Sequence, residues 1–427
     1  MRLIGYTVFA LCLLSGCGTK KASKRPKEPL AAEQRGASLE LPQGLLLSYA
    51  QFRVGADGKV TSLPGPARLE ILKRHSGKWL VDVIEDKDSN VFHKAMLYAL
   101  PGQRPGILTL GGMKAMVKLW HAKGGVYSAQ TLWQAKFGGK FDRMRDAEIA
   151  DVYGSGIPSI VVGTHDQGVV AVLEPDKSGH IKVTQLDRQP NTFIHEIETG
   201  DLDGDGVLEI YATPSEPNKL GGGAQHGTVV SYVPKLGQKR KIVADLHDRH
   251  AKEIYVGDVD GNGRDELYVS VEALTKQTDR GVEIVKPVEI RRFDQTSLGT
   301  SGAIVATLPD RFCRFLTVGD IDGDGNREMV AAAYRSGLWL LRPEKDKMLW
   351  HVENFERDSS GFEHAASFAD LDGDGVDELY VAADEQGELR RYSWKNGKVN
   401  RETLLRRPHP KALITWNIVP FPVAATH

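Results

Sequence analysis

A nine-residue acidic pattern recurs four times in this chain, and its repetition limits the fold more than any other feature. It reads D-L-D-G-D-G-V-L-E from Asp201, D-V-D-G-N-G-R-D-E from Asp258, D-I-D-G-D-G-N-R-E from Asp320 and D-L-D-G-D-G-V-D-E from Asp370. Oxygen-bearing side chains stand at positions 1, 3, 5 and 9, and glycines at 4 and 6. Ca²⁺ takes about six to eight hard oxygen ligands, gathered from closely spaced carboxylates on a chain that turns sharply. Asp or Asn at positions 1, 3 and 5 can point inward together, the carbonyl of position 7 can add an oxygen, and Glu at 9 can close the shell. Gly at position 6 permits the positive φ of such a turn.

An EF-hand would need its bidentate Glu at position 12. Position 12 holds Ala212, Val269, Ala331 and Val381 instead, each inside a short β-like run. Each loop therefore leads into a strand, and the EF-hand is excluded. Loops starting at 201, 258, 320 and 370 recur at the interval of a solenoid or a propeller. After each loop come three strand-like runs separated by turns, and a fourth run precedes the next loop. Four antiparallel strands per unit make a propeller blade.

Degenerate copies fit the same frame. Asp151 to Ser159 keeps position 1 and both glycines without the acids at 3, 5 and 9, and Ala99 to Ile107 keeps the turn alone. The starts then run 99, 151, 201, 258, 320 and 370. Residues 44–52, 68–74 and 79–85 read as the later strands of a blade that lacks its first, and 412–419 as a first strand that lacks its blade. Joining them closes the ring and removes unpaired edges. The expectation is an all-β, seven-bladed propeller closed by N- and C-terminal strands, with six or eight blades as alternatives because 41–68 is weakly patterned.

The start of the chain reads differently. Met1-Arg2, an apolar run to Leu14 and then Leu14-Ser-Gly-Cys17 describe a secretory signal too short to span a membrane. The L-S-G-C ending resembles the lipobox of bacterial lipoproteins, which implies cleavage after residue 16 and lipidation of Cys17. In that family Gly18 in place of Asp implies sorting to the outer membrane. Residues 17–40 read as the lipidated Cys and a flexible Lys-, Ala- and Pro-rich tether, and 41–427 as the propeller. With Cys12 in the signal and Cys17 as the anchor, Cys313 stands alone as a small core residue without a disulfide partner. Lys+Arg 55 against Asp+Glu 56 gives no bias toward nucleic acid.

The loops and blades resemble the FG-GAP or VCBS repeats of integrin α-chain propellers and of many secreted bacterial proteins, over about residues 90–420. The resemblance implies structural Ca²⁺ in up to four sites, each between the first and second strands of a blade. Carried over, the ligands are Asp201, Asp203, Asp205 and Glu209; Asp258, Asp260, Asn262 and Glu266; Asp320, Asp322, Asp324 and Glu328; and Asp370, Asp372, Asp374 and Glu378. Such an ion binds the folded loop and not the open chain, and so stabilises by mass action. The family includes adhesins, lectins and a few glycan-active enzymes, so fold alone does not decide function.

A second column runs through the repeats. Six residues before loop position 1 stand His93, Arg145, His195, Lys252, Arg314 and His364. With Lys+Arg 55 and His 13 among 427 residues, six basic or imidazole groups in one column is a strong departure from chance. The first strand of a blade is innermost, so the column is expected to ring one channel mouth on the face opposite the acidic loops. Two readings stand side by side: pairing with nearby acids such as Asp146, Glu196 and Glu253, or a functional ring for a carboxylate, phosphate or sulfate that tightens as pH falls. Enlarged loops at 214–226 and 272–286 open on the same face. The first expectation is a monomeric, lipid-anchored envelope module that binds an anionic glycan or a protein partner and touches the membrane through its lipid only. A polysaccharide lyase using the same mouth and a purely structural lipoprotein are the alternatives, and no nucleophile elbow, H-E-x-x-H or P-loop is present.

Overall fold

The computed structural model describes residues 44–75, 78–217, 219, 223–344 and 349–421. Seven four-stranded antiparallel sheets follow one another in a ring, each with its first strand innermost. The inner strands are Phe92–Tyr98, Met144–Ala150, Phe193–Gly200, Ala251–Gly257, Cys313–Gly319, Ala366–Ala369 and Leu413–Phe421, for blades 1 to 7. Blade 7 joins the two ends of the fold: Leu413–Phe421 pairs with Gly44–Val54, followed outward by Ala67–His75 and Lys78–Asp86. Seven blades is thus the number, settled by the pairing expected between 412–419 and 44–52. A short hairpin strand, Val60–Pro64, folds onto the far end of Gly44–Val54 and occupies the weakly patterned stretch. Cys17, the signal segment and the tether lie outside the described residues.

The second strand of each blade explains the packing. Glu328–Ala333 and Glu378–Ala383 are buried along their whole length, with no alternation of burial. Side chains on a strand point alternately to its two faces, and both faces of a blade meet another blade. Leu45 and Leu47 pack toward blade 6, while Leu46 between them packs toward blade 1. Seven apolar clusters result, one at each junction between neighbouring blades. Cys313 is fully buried in the cluster between blades 4 and 5, where burial pushes its thiol well above the usual range.

Candidate functional site

The acid-rich loops sit between first and second strands at one end of the ring. In each, the position-1 aspartate ties the turn to itself. Asp201 accepts the Asp205 and Gly206 N–H groups at 3.0 and 2.9 Å, and Asp258, Asp320 and Asp370 repeat the arrangement. Asp151 makes the same pair of bonds to Ser155 and Gly156, which is why a blade without the other acids keeps this one. Gly206 has φ 81° with nothing within 4 Å of an added Cβ, so the backbone angle and not lack of room selects glycine there.

Each loop gathers three carboxylates whose oxygens lie within 4.8 Å of one another: Asp201, Asp203 and Glu209; Asp258, Asp260 and Glu266; Asp320, Asp322 and Asp324; Asp370, Asp372 and Asp374. Oxygens about 2.3–2.6 Å from a shared calcium would be separated by up to about 5 Å, so the spacing fits that ion. Asp205, Glu328 and Glu378 fall outside these groups, and Asn262 turns its amide toward Glu266 at 2.6 Å. Burial, with the neighbouring aspartates adding to it, raises Glu209 to about 7, and burial likewise raises Glu328 and Glu378 to about 7. Carboxyls so crowded favour a cation over solvent as partner.

At the opposite end the basic column has a local structural cause. In blades 1 to 5 the inner strand carries a β-bulge, and the column residue stands in it: His93 between Phe92 and Ala95, Arg145 between Met144 and Asp146, His195 between Ile194 and Ile197, Lys252 between Ala251 and Glu253, and Arg314 between Cys313 and Phe315. A bulge leaves its extra residue out of the ladder and re-aims the side chain. His364, just ahead of the blade 6 strand, reaches a similar position with φ 57°.

Five of these groups are buried and Arg145 is partly exposed, and the contacts that follow reach past the adjacent acids. The His93 Nδ1 lies 2.5 Å from the Met144 carbonyl, and the His364 Nδ1 lies 2.6 Å from that of Ala333. A carbonyl only accepts, so both rings carry the proton on Nδ1. His195 meets the Ser215 hydroxyl at 3.0 Å and the Lys252 amine at 3.1 Å. Arg314 bonds Glu363 at 2.7 Å and Glu272 at 3.4 Å, and Arg145 reaches the same Glu363 at 3.3 Å from blade 2. Glu272 also takes His250 at 2.8 Å. Burial alone would raise Glu272, but His250, Arg314 and Lys252 hold it at about 2.

The expected tightening at low pH has no source in these histidines. Burial, reinforced by Arg145, drives His93 well below its ordinary value; burial and the Lys252 charge do the same to His195; burial holds His364 at about 4. All three stay neutral across the physiological range. The acids expected to pair with the column serve a second belt deeper in the channel. Asp146 and Glu148 bind Lys94 at 3.0 and 2.5 Å, and Glu253 accepts the Leu316 N–H. Burial pushes Glu196, Glu198 and Glu253 well above the ordinary carboxyl range.

Around and within the column, guanidiniums lie on aromatic rings. Arg143 stacks on Phe141 at 4.2 Å, Arg145 on Trp416 at 4.9 Å, Arg311 on Phe312 at 5.0 Å and Arg335 on Tyr334 at 5.0 Å. Phe312, Tyr334 and Phe362 pack in a row, the first pair tilted and the second edge to face, with centroids 5.6 and 6.5 Å apart. Phe193, Phe312 and Phe362 stand two residues before the column, so a period-2 reading of the same strand starts would have found them. The enlarged loop at 272–286 forms a hairpin of Leu274–Thr278 and Gly281–Lys286, and Gly223 of the other enlarged loop donates to its Thr275 carbonyl at 2.8 Å.

The repeat geometry has known counterparts. A model of the FG-GAP-like repeat family matches residues 320–381, which hold the acidic loops of blades 5 and 6. The chain is a β-propeller whose residues 320–381 match the FG-GAP-like repeat. It is 27% identical over 243 residues to integrin alpha pat-2 of Caenorhabditis briggsae and 26% identical to that of Caenorhabditis elegans. The matched stretch covers 49% of this chain and 18% of those proteins, so the chain spans under a fifth of the length of these relatives. Among solved structures, a putative 6-phosphogluconolactonase from Bacteroides fragilis aligns over 90% of this chain and 99% of its own at TM-score 0.51 and 10% identity, a likeness of fold alone.

Proposed function

We propose that the chain is a calcium-stiffened binding propeller of a bacterial envelope, anchored through a lipid on Cys17, that takes an acidic glycan at the mouth opposite its acidic loops. The observation that carries this reading is the set of guanidinium groups laid on aromatic rings around that mouth. Flat rings accept the C–H faces of sugars, and guanidinium groups make bidentate bonds to carboxylate or sulfate. The buried Glu272 and Glu363 already balance Arg145 and Arg314, so the anion is met by the rim, chiefly by the exposed Arg335.

The three-carboxylate groups support calcium as the ion of the loops, with the aspartates at positions 1 and 3 as its common ligands. A lyase reading needs a histidine base open to substrate, whereas His93, His195 and His364 are buried and bonded. The test is titration of the intact chain, in saturating calcium, with oligogalacturonate and with a neutral oligosaccharide of equal length. Binding of the acidic chain alone, lost in an Arg335→Ala variant of unchanged melting temperature, is the expected result. Equal binding by that variant, or none by the parent protein, overturns it.

A further inference from the structure

The four acidic loops are not equivalent, because one already contains a cation. In blade 4 the Arg292 guanidinium bonds Asp260 at 3.0 Å and Glu266 at 3.1 Å, so two of the three gathered carboxylates are engaged. All three side chains are nearly inaccessible, at 7%, 2% and 1%. The sequence of that loop has also lost a charge: position 5 is Asn262, where blades 3, 5 and 6 have Asp205, Asp324 and Asp374.

The origin of the arginine lies in strand register. Arg292 on the third strand pairs directly with Tyr268, two residues after Glu266 and so on the same face of the sheet. The matching partner is Ser231 opposite Tyr211 in blade 3 and Leu340 opposite Val330 in blade 5, and neither side chain carries a charge. Blade 6 has Arg391 opposite Tyr380, which bonds Glu378 at 3.2 Å but stands 4.0 Å from Asp372, is 21% exposed and is shared with Glu402 at 3.0 Å. Among the described residues, only in blade 4 does a guanidinium hydrogen-bond both the position-3 and the position-9 carboxylates.

We propose that Arg292 is the resident cation of the blade 4 loop, standing where calcium binds in the loops of blades 3, 5 and 6. The inference rests on the calcium reading of those three loops. A divalent ion sharing two carboxylates with a guanidinium would lie about 4 Å from it, and their repulsion weakens binding roughly thirtyfold even at the dielectric of water. The chain therefore binds three calcium ions tightly, and its fourth repeat is closed without metal.

The experiment is calcium stoichiometry of the intact, metal-stripped chain by native mass spectrometry and isothermal titration with calcium chloride. Three ions are expected. Arg292→Ser, which gives blade 4 the residue of blade 3, raises the count to four; Ser231→Arg in blade 3 lowers it to two and serves if the first variant does not fold. Four ions of similar affinity in the parent protein overturn the role of Arg292 while leaving the calcium reading intact. No bound calcium at any loop overturns both.

Discussion

Glu363 is the carboxylate on which the mouth closes, and Glu363→Gln is the most informative single change there. Its two oxygens separately receive Arg314 from blade 5 and Arg145 from blade 2, and its side chain is 2% exposed. The amide keeps shape and one accepting oxygen but removes the charge between two guanidiniums. Breaking a buried ion pair costs about 3–5 kcal/mol. Glu272 still meets Arg314, and Arg145 is 11% exposed and rests on Trp416, so the lower end, about 3 kcal/mol, applies. With an unfolding entropy of roughly 2 cal/mol/K per residue over about 370 residues, that loss lowers the melting temperature by about 4 °C. Differential scanning calorimetry in saturating calcium reads it directly. A double-mutant cycle with Arg314→Met should give a coupling of at least about 1 kcal/mol. A melting point unchanged by Glu363→Gln, together with coupling near zero, would show that water and not Glu363 balances these arginines.

Two further perturbations address other parts of the ring. Asp372→Ala removes a gathered carboxylate from the blade 6 loop, and should lower thermal stability in millimolar calcium but make little difference under chelation; equal melting curves in both conditions would sink the assignment. His364 titrates at about 4 when folded, below its ordinary value of 6.5, because burial disfavours the charged ring. Between those values the unfolded chain binds more protons, so this group makes stability fall as pH drops from about 6.5 to 4. His364→Asn, suited to the positive φ at that position, should flatten the slope of melting temperature against pH in that window, and identical slopes would refute the account.

The ring itself was legible because its signals are local and repeated. Six loop starts, with turn glycines and continuous apolar second strands, define blades without any long-range information. Even the seventh blade could be read, since two incomplete patterns at opposite ends complement each other. The column of basic groups was legible as a column, but its meaning was not. What decided it was the bulge at the inner strand start of blades 1 to 5, which is a matter of register and leaves Arg145 and Arg314 bonded to Glu363. Glu363 and Glu272 belong to no repeated column, so nothing in the repeat marks them as partners. The arginine in the blade 4 loop was hidden for the same reason: Arg292 lies 26 residues beyond Glu266, and only the pairing across a hairpin brings it back.

The seam in blade 7 sets the order in which the molecule can become itself. Gly44 pairs with Phe421 and Gln51 with Leu413, so the last-made strand is the innermost member of the first-made sheet. Blades 1 to 6 can each form as they leave the ribosome, since their four strands are contiguous. Until residues 413–421 have been synthesised, Leu45 and Leu47 lack part of their cover and the Gly44–Val54 edge stands open to any other extended chain. Completion is therefore a single late event, and a nascent chain stalled before residue 413 is an open arc that invites chaperones or a second copy of itself to fill the gap.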